Sequence, residues 1–318
     1  MKTLIIGGHG FVGTNLAALL ANKGHNVAAL SRRDGLDLTD SESVVRALDR
    51  VRPEAIFNCA AHVGSVHYVM QHAATVAHDN VQMALNLYRA VAEAAPRAHV
   101  VNPLSNCSYP GAADVHYEPD WWNGEVHHSV FAYGNAKRFI YVLARCYHAE
   151  HQIRTSNFLV PNTFGVGDHL DTKRTHAISG MIVRMIRARD AGEPRFEVWG
   201  SGRPVREWGY IDDIAEILSR ALEMDADLLY PVNIAQNHGA TIRESAEAIR
   251  EAVGYDGELW FNTKYEDGAP RKVLDDRRFH ELFPSFQFTD HREAIRRTVA
   301  YYEEKLKSAE AAHTSLNR

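Results

Sequence analysis

At 318 residues, with 45% hydrophobic and 24% charged side chains and a formal net charge of −5, the chain has the balance of an ordinary globular protein with room for one large domain or two unequal ones. That charge gives no reason to expect nucleic acid or a membrane surface as partner, and no apolar run approaches the roughly 20 residues of a membrane span. Three well-separated cysteines, Cys59, Cys107 and Cys146, make neither a disulfide framework nor a zinc pattern, so no metal is expected and a reducing, cytoplasmic compartment is.

The start "MKTLIIGGHGFVG" has too few apolar residues before its glycines for a signal-peptide core. "TLIIG" reads as a first strand and "FVGTNLAALLANKG" as a helix closing at Gly24. "NVAALS" is a second strand, followed by "DSESVVRALDRV", a helix capped by Asp40 or Ser41. "EAIFNCAA", "AHVVNP" and "RTSNFLV" read as further strands, separated by the helices "DNVQMALNLYRAVAEAA" and "FAYGNAKRFIYVLARCYHAEH". Strand and helix alternating in this way predict an α/β fold, a doubly wound parallel sheet with helices on both faces.

Beyond residue 165 the pattern loosens. "THAISGMIVRMIRAR" is helical, "FEVWG" and "REWGYI" are short strands, and "DDIAEILSRALEM" reads as a capped helix. "TIRESAEAIREAVG" carries a capping box, Thr241 with Glu244, and ends at Gly254. The expected division is residues 1–165 as a dinucleotide-binding unit, 166–308 as a smaller substrate domain partly interleaved with it, and 309–318 as a frayed tail.

Gly7, Gly10 and Gly13 form G-x-x-G-x-x-G directly after the first strand and at the start of a helix. Glycines there allow a tight turn and let backbone N–H groups approach a pyrophosphate at the helix N-terminus. The position after a strand and before a helix makes this the context of a Rossmann dinucleotide site. At the tip of the second strand, an acidic residue would hold the ribose 2′-hydroxyl of NAD. Ser31, Arg32 and Arg33 stand there instead, and arginine suits a 2′-phosphate, so NADP is the expected cofactor. The alternative is that both arginines are solvated surface charges.

Tyr133 and Lys137, four apart on a helical pattern, project from one face. An ammonium beside a tyrosine favours the phenolate, which predicts a phenol tuned from about 10 towards neutrality and able to give a proton to a carbonyl oxygen. Ser105, at the end of a strand between these motifs, would hydrogen-bond the same oxygen. With 18 histidines in the chain, no histidine is informative by position alone.

With these motifs in view, the chain resembles the extended short-chain dehydrogenase/reductases and, within them, the GDP-L-fucose synthase family of epimerase/reductases. The resemblance spans roughly residues 2 to 300. It is carried by "GGHGFVG", "RRDGLDLTD", "CAAHVGS", "SNCSYP", "YGNAK", "PNTFG", "THAISGMIVR", "WGSGRPVREWGYIDD" and "PRKVLDD". It implies Ser105, Tyr133 and Lys137 as the reductase triad and Cys107 and His176 as the epimerisation pair. It places Gly7, Gly10, Phe11, Val12, Gly13, Arg32, Arg33, Asp37, Leu38, Ala60, Ala61, Lys137 and Pro161 at the cofactor, and Asn106, Asn162, Arg184, Trp199, Arg206 and Lys272 at a nucleotide-sugar substrate.

A 4-keto sugar has acidified C–H bonds at C3 and C5, so inversion needs proton carriers on its two faces. Cysteine (about 8.5) and histidine (about 6.5) straddle neutrality. Arg184 follows His176 by eight residues, about two helical turns, so the two are expected to share a face. A homodimer through a four-helix bundle, built by helices at 79–95 and 131–150, is expected as well.

Three features depart from the family pattern: Asn106 in place of a small hydroxyl residue, the segment "DWWNGEVHHSVF", and Ser65 after Gly64. They leave the sugar open between a deoxyhexose and a deoxyheptose. A 4,6-dehydratase would need an acidic pair where Asn106 and Cys107 stand. A reduction-free 3,5-epimerase would carry a lysine opposite Cys107, for which Lys173 is the nearby candidate. A non-catalytic NADP sensor would be expected to lose Tyr133 or Lys137.

Overall fold

The computed structural model describes residues 1–171, 175–224 and 226–316, with side chains through residue 309. In chain order the first half runs β1 (Lys2–Ile6), α1 (Phe11–Asn22), β2 (Asn26–Leu30), α2 (Ser41–Val51), β3 (Ala55–Asn58), α3 (Val66–Gln71), α4 (Ala73–Ala94), β4 (His99–Ser105), α5 (Phe131–His151) and β5 (Thr155–Val160). The second half runs β6 (Asn162–Phe164), α6 (Ala177–Asp190), β7 (Arg195–Trp199), β8 (Val205–Arg206), β9 (Trp208–Tyr210), α7 (Ile211–Arg220), β10 (Val232–Asn233), β11 (Ala240–Thr241), α8 (Ile242–Val253), β12 (Glu258–Asn262), β13 (Arg271–Lys272), α9 (Arg277–Leu282) and α10 (His291–Leu316).

Six strands form one sheet in the order β10-β5-β4-β3-β1-β2, every pair parallel. Its side chains alternate between two faces, as the pleat requires. Leu4, Ile6, Ile56, Val100 and Leu159 pack with residues of α2, α4 and α5. Ile5, Phe57, Val101 and Phe158 pack with Leu16 and Leu20 of α1, Ile214 and Leu218 of α7 and Phe279 of α9. Covered on both faces, the strands read as continuous apolar runs. The chain departs in opposite directions on either side of β1. That reversal opens a crevice at the carboxyl ends of β1 and β3, where a doubly wound sheet binds ligands.

Strand β10, from beyond residue 166, supplies the sixth strand of this sheet. A separate core joins α6, α8 and α10 through Ile182, Ile186, Ile249, Ile295 and Tyr302, and Phe11 of α1 packs into it. Strand β8 lies between β11 and β13, and its parallel pairing with β13 sets Lys272 opposite Arg206.

Some local expectations change. Strand β4 continues through Leu104 and Ser105, paired with Leu159 and Val160, so the polar stretch begins on the sheet itself. Helix α7 has no side-chain cap, and Asp212 and Asp213 lie in its first turn. "REWGYI" contributes to two different sheets, through β8 and β9. The segment 309–318 was expected to fray; α10 instead runs on to Leu316. The capping box of α8 forms, and Gly254 closes the helix. Inside the sheet, Asn58 donates to Asn102 at 3.1 Å, and Asn102 donates to Asn157 at 2.9 Å. This buried amide chain across β3, β4 and β5 lets polar residues sit in otherwise apolar strands, because each finds a partner.

Candidate active site

The glycine turn between β1 and α1 is built by close backbone approach. Gly7 has φ +76°, and a Cβ there would lie 2.8 Å from the Ala60 nitrogen. A Cβ on Gly13 would fall on the Gly7 carbonyl oxygen. Gly10 is the N-cap of α1 and supplies no side-chain cap, so the leading N–H groups at Phe11, Val12 and Gly13 have neither a helical acceptor nor a competing side chain. A bare helix N-terminus above a glycine cradle fits a dinucleotide pyrophosphate.

At the tip of β2, Ser31 caps the single turn Arg32–Asp34. One oxygen of the acidic residue in that turn is engaged: Asp34 Oδ2 accepts from the Ser31 N–H at 2.9 Å and meets His9 Nε2 at 2.9 Å. The Arg32 and Arg33 side chains are exposed, and neither forms an ion pair among the described residues. Asp37 accepts from the Thr39 N–H at 2.9 Å, while Leu38 is buried and its carbonyl accepts from Asn86 at 2.8 Å. Ala60 and Ala61 follow β3 beside the glycine turn, and Pro161 is buried between β5 and β6.

The end of β4 sorts its polar residues by orientation. Leu104, Asn106, Ser108 and Tyr109 are buried, whereas Ser105 and Cys107 are partly exposed. Ser105 Oγ accepts from the Cys107 N–H at 3.2 Å and caps the turn. Ser108 is structural: its Oγ donates to the Ser105 carbonyl at 2.5 Å and accepts from Trp121 Nε1 at 2.8 Å. Asn106 is 2% exposed and its Nδ2 has no hydrogen-bond partner among the described residues. The side chain expected to meet substrate is thus shut inside the turn.

Helix α5 brings Tyr133 and Lys137 to the same place. Lys137 is buried, donates to the Pro103 carbonyl at 3.2 Å and lies 5.6 Å from the Tyr133 ring centroid. Burial pushes the Lys137 ammonium down to about 8. The Tyr133 phenol, expected to be tuned towards neutrality, moves the other way. Burial raises it above its ordinary range and Cys107 adds to the rise, because a phenolate removed from water is disfavoured.

The thiol of Cys107 lies 3.6 Å from Lys272 Nζ. Arg206 is opposite Lys272 in register, and its guanidinium lies near enough to Cys107 to interact with it. Between them sits Glu207, fully buried. It accepts from the backbone N–H of Gln236 at 2.6 Å and of Leu274 at 2.8 Å, and its own N–H donates to the Lys272 carbonyl at 2.9 Å. Burial raises its carboxyl to about 7. Two histidines face the same cations. Burial, with Lys272 and Arg206, pushes His116 down to about 3 and lowers His127. Sequence reasoning missed Glu207, His116 and His127. Glu207 follows Arg206 directly in "VREW", but only the β8–β13 pairing shows what its carboxylate holds.

Arg184 and Trp199 form a second group. Arg184 donates to the Glu197 carbonyl at 2.6 Å and stacks 4.9 Å from Phe196 and 4.7 Å from Trp199. Trp199 is 54% exposed and stacks on Tyr265, with ring centroids 5.2 Å apart. Tyr265 had no signal in the sequence. Asn162 is half-buried and reaches the Glu207 carbonyl at 3.4 Å.

His176 is the N-cap of α6, in extended conformation. It therefore precedes the helix, and the expected shared face with Arg184 is not formed. Its Nδ1 lies 3.0 Å from Asp168 Oδ2, and its ring is 5.4 Å from that of Phe11. The structure thus joins Cys107 to Tyr133, Lys272 and Arg206, and joins His176 to the start of α1. No direct contact links His176 to Cys107 among the described residues. Lys173 lies outside the described residues.

A model of the NAD dependent epimerase/dehydratase family matches residues 3–235. GDP-L-fucose synthase of Escherichia coli (strain K12) is 28% identical over 294 residues, covering 88% of this chain and 90% of that protein. GDP-L-colitose synthase of Yersinia pseudotuberculosis is 26% identical, covering 95% of this chain and 98% of that protein. Among solved structures, a GDP-L-fucose synthetase from Naegleria fowleri bound to NADP superposes with a TM-score of 0.87 at 25% identity, covering 96% of this chain and 94% of that chain.

Proposed function

The chain belongs to the NAD dependent epimerase/dehydratase family, and from that premise we propose that it is an NADPH-dependent epimerase/reductase of a GDP-linked 4-keto-6-deoxy sugar. The observation that carries the reading is the thiol of Cys107 set among Lys272, Arg206 and Tyr133. A plain reductase needs the Tyr/Lys pair and a serine, but has no use for a partly exposed thiol beside two cations.

The cofactor, when bound, supplies hydride for the sugar C4. The residues that would hold it are the glycine turn, the first N–H groups of α1 and the exposed guanidinium groups of Arg32 and Arg33. The exposed guanidinium groups of Arg32 and Arg33 at the tip of β2 favour NADP over NAD, because arginine suits a 2′-phosphate.

Cys107 takes a proton from a carbon beside the ketone. The ammonium of Lys272 stabilises the negative charge a thiolate carries. His176 returns a proton from the other face, its charge balanced by Asp168. Tyr133 and Ser105 hydrogen-bond the ketone oxygen, where the enolate's charge collects. Tyr133 then gives its proton to that oxygen as C4 is reduced. A phenol held above its ordinary range is protonated at neutral pH, as that step requires. Arg206 and Arg184 offer planar forks to a pyrophosphate.

Helices α4 and α5 pack together and leave Leu85 and Val142 exposed at 39% and 38%, which suits a four-helix-bundle homodimer. Three free cysteines suit the cytoplasm.

The test is to incubate the protein with GDP-4-keto-6-deoxymannose and NADPH in deuterated water and follow the sugar by mass spectrometry. NADPH oxidation with deuterium at C3, C5 or both is expected. Deuterium entry without NADPH oxidation would establish a reduction-free epimerase instead. Oxidation without deuterium entry would leave a reductase only.

A further inference from the structure

Asp168 ends the sequence "GVGD" that follows β6. Its side chain is 0% exposed, whereas that of His176 is 47% exposed. One oxygen of this carboxylate gathers three donors: the His176 backbone N–H at 2.9 Å, His176 Nδ1 at 3.0 Å and Thr175 Oγ1 at 3.0 Å. The other oxygen accepts from the His169 N–H at 2.8 Å. Burial opposes ionisation of Asp168, but the hydrogen bonds and charge of His176 outweigh it and hold the carboxyl below its ordinary value.

The loop carrying Asp168 is itself fastened to the cofactor helix. Asn15 of α1 donates to the Val166 carbonyl at 3.0 Å and to the Phe11 carbonyl at 2.9 Å. Gly167, at φ +86°, brings its backbone against that amide. The Phe11 ring, at the start of the same helix, lies 5.4 Å from the His176 ring.

We propose that Asp168 is the positioning residue of His176: it fixes the imidazole with the proton on Nδ1, leaves Nε2 as the one working nitrogen, and compensates the charge when Nε2 is also protonated. The physical reason is that an ionised carboxylate only accepts. A ring nitrogen 3.0 Å from it must be the donor, so the neutral imidazole has its lone pair on Nε2. A buried carboxylate behind a partly exposed imidazole sets both tautomer and aim, as in other acid–base pairs. The anchor through Asn15 and Phe11 ties that aim to the helix that would hold the cofactor. A sugar docked against the nicotinamide would thus meet Nε2 at a constant place. This assignment rests on the reading of His176 as a proton carrier in the proposed epimerisation.

The experiment compares Asp168→Asn and His176→Gln with the wild type. It measures deuterium entry into GDP-4-keto-6-deoxymannose, NADPH binding by fluorescence, and the protonation of ring nitrogens by ¹⁵N NMR of histidine-labelled protein, with His176 assigned through His176→Gln. Asp168→Asn is expected to slow deuterium entry by roughly 10²-fold or more, with KM within about threefold of the wild type and NADPH still bound. The neutral His176 ring is expected to be Nδ1-protonated in the wild type and Nε2-protonated in Asp168→Asn. Deuterium entry unchanged in Asp168→Asn, or exchange and NADPH binding lost together, overturns the proposal. So does an Nε2-protonated neutral ring in the wild type, a measurement that stands even if the variant fails to fold. If His176→Gln itself keeps full exchange, the reading of His176 is what fails. If it loses exchange while Asp168→Asn does not, only the role of Asp168 falls.

Discussion

The ammonium of Lys272 reaches to 3.6 Å from the sulfur of Cys107 across 165 residues of sequence. The approach is set by the β8–β13 pairing and by Glu207, which binds the backbone on both sides of it. A cation at this distance faces any negative charge that forms on the sulfur during reaction.

Replacing Lys272 with methionine is therefore expected to slow alkylation of Cys107 by iodoacetamide at pH 7 about fivefold, the effect of roughly 1 kcal/mol at a partly exposed pair. Peptide mass spectrometry reads the rate, and the exposed Cys146 serves as internal standard. Equal rates in the two proteins would mean that the ammonium does not act on the sulfur.

The two half-reactions are expected to separate. Cys107→Ser lowers deuterium entry into the sugar by about 10² or more while NADPH still binds. Tyr133→Phe stops NADPH oxidation because it removes the hydroxyl that protonates the ketone oxygen. Unchanged deuterium entry in Cys107→Ser, measured by mass spectrometry, or loss of NADPH binding together with deuterium entry, would argue against a dedicated proton carrier at residue 107.

Arg32 and Arg33 are exposed at the tip of β2 and form no ion pair among the described residues, whereas one oxygen of Asp34 is engaged. The double change Arg32→Ala with Arg33→Ala is expected to raise the KM for NADPH by about tenfold to a hundredfold, or 1.4 to 3 kcal/mol, with little change for NADH. Steady-state kinetics with both cofactors check this, and an equal loss for both would remove the arginines from the 2′-phosphate.

Glu207 carries a pH dependence of stability. Its carboxyl is raised from 4.5 to about 7 by burial. Between those values the folded chain keeps a proton that the unfolded chain has lost. The associated stability is fully present below pH 4.5 and is lost as pH rises through about 7, by up to about 3 kcal/mol. Glu207→Gln lacks this dependence. The Tm of the wild type minus that of the variant should therefore fall between pH 5 and pH 8. Melting curves that stay parallel across that range would contradict the assignment.

Much of the architecture is legible in the chain. The apolar runs of β1, β3, β4 and β5, each followed by a helical stretch, dictate a parallel sheet, because a strand buried on both faces must be apolar throughout. The glycine turn announces itself since only glycine lets Gly7 approach Ala60 and Gly13 approach Gly7. Tyr133 and Lys137 are readable because a helix turn is a local rule. Cys107 and His176 came into view only through resemblance, each being uninformative by itself.

What the tertiary structure alone decided concerns groups far apart in sequence and the balance of burial against charge. Lys272 finds Cys107, Glu207 gathers two distant loops, and Tyr265 finds Trp199 through pairings of strands too short to show a period. The direction of the Tyr133 shift depends on how much water the fold removes from it, which no spacing encodes. The sequence by itself determined the sheet, the cofactor turn and the reducing pair, because these follow from contacts within a turn or along a strand. The fold decided which thiol meets a cation and which imidazole a carboxylate, because those meetings depend on how distant segments pack.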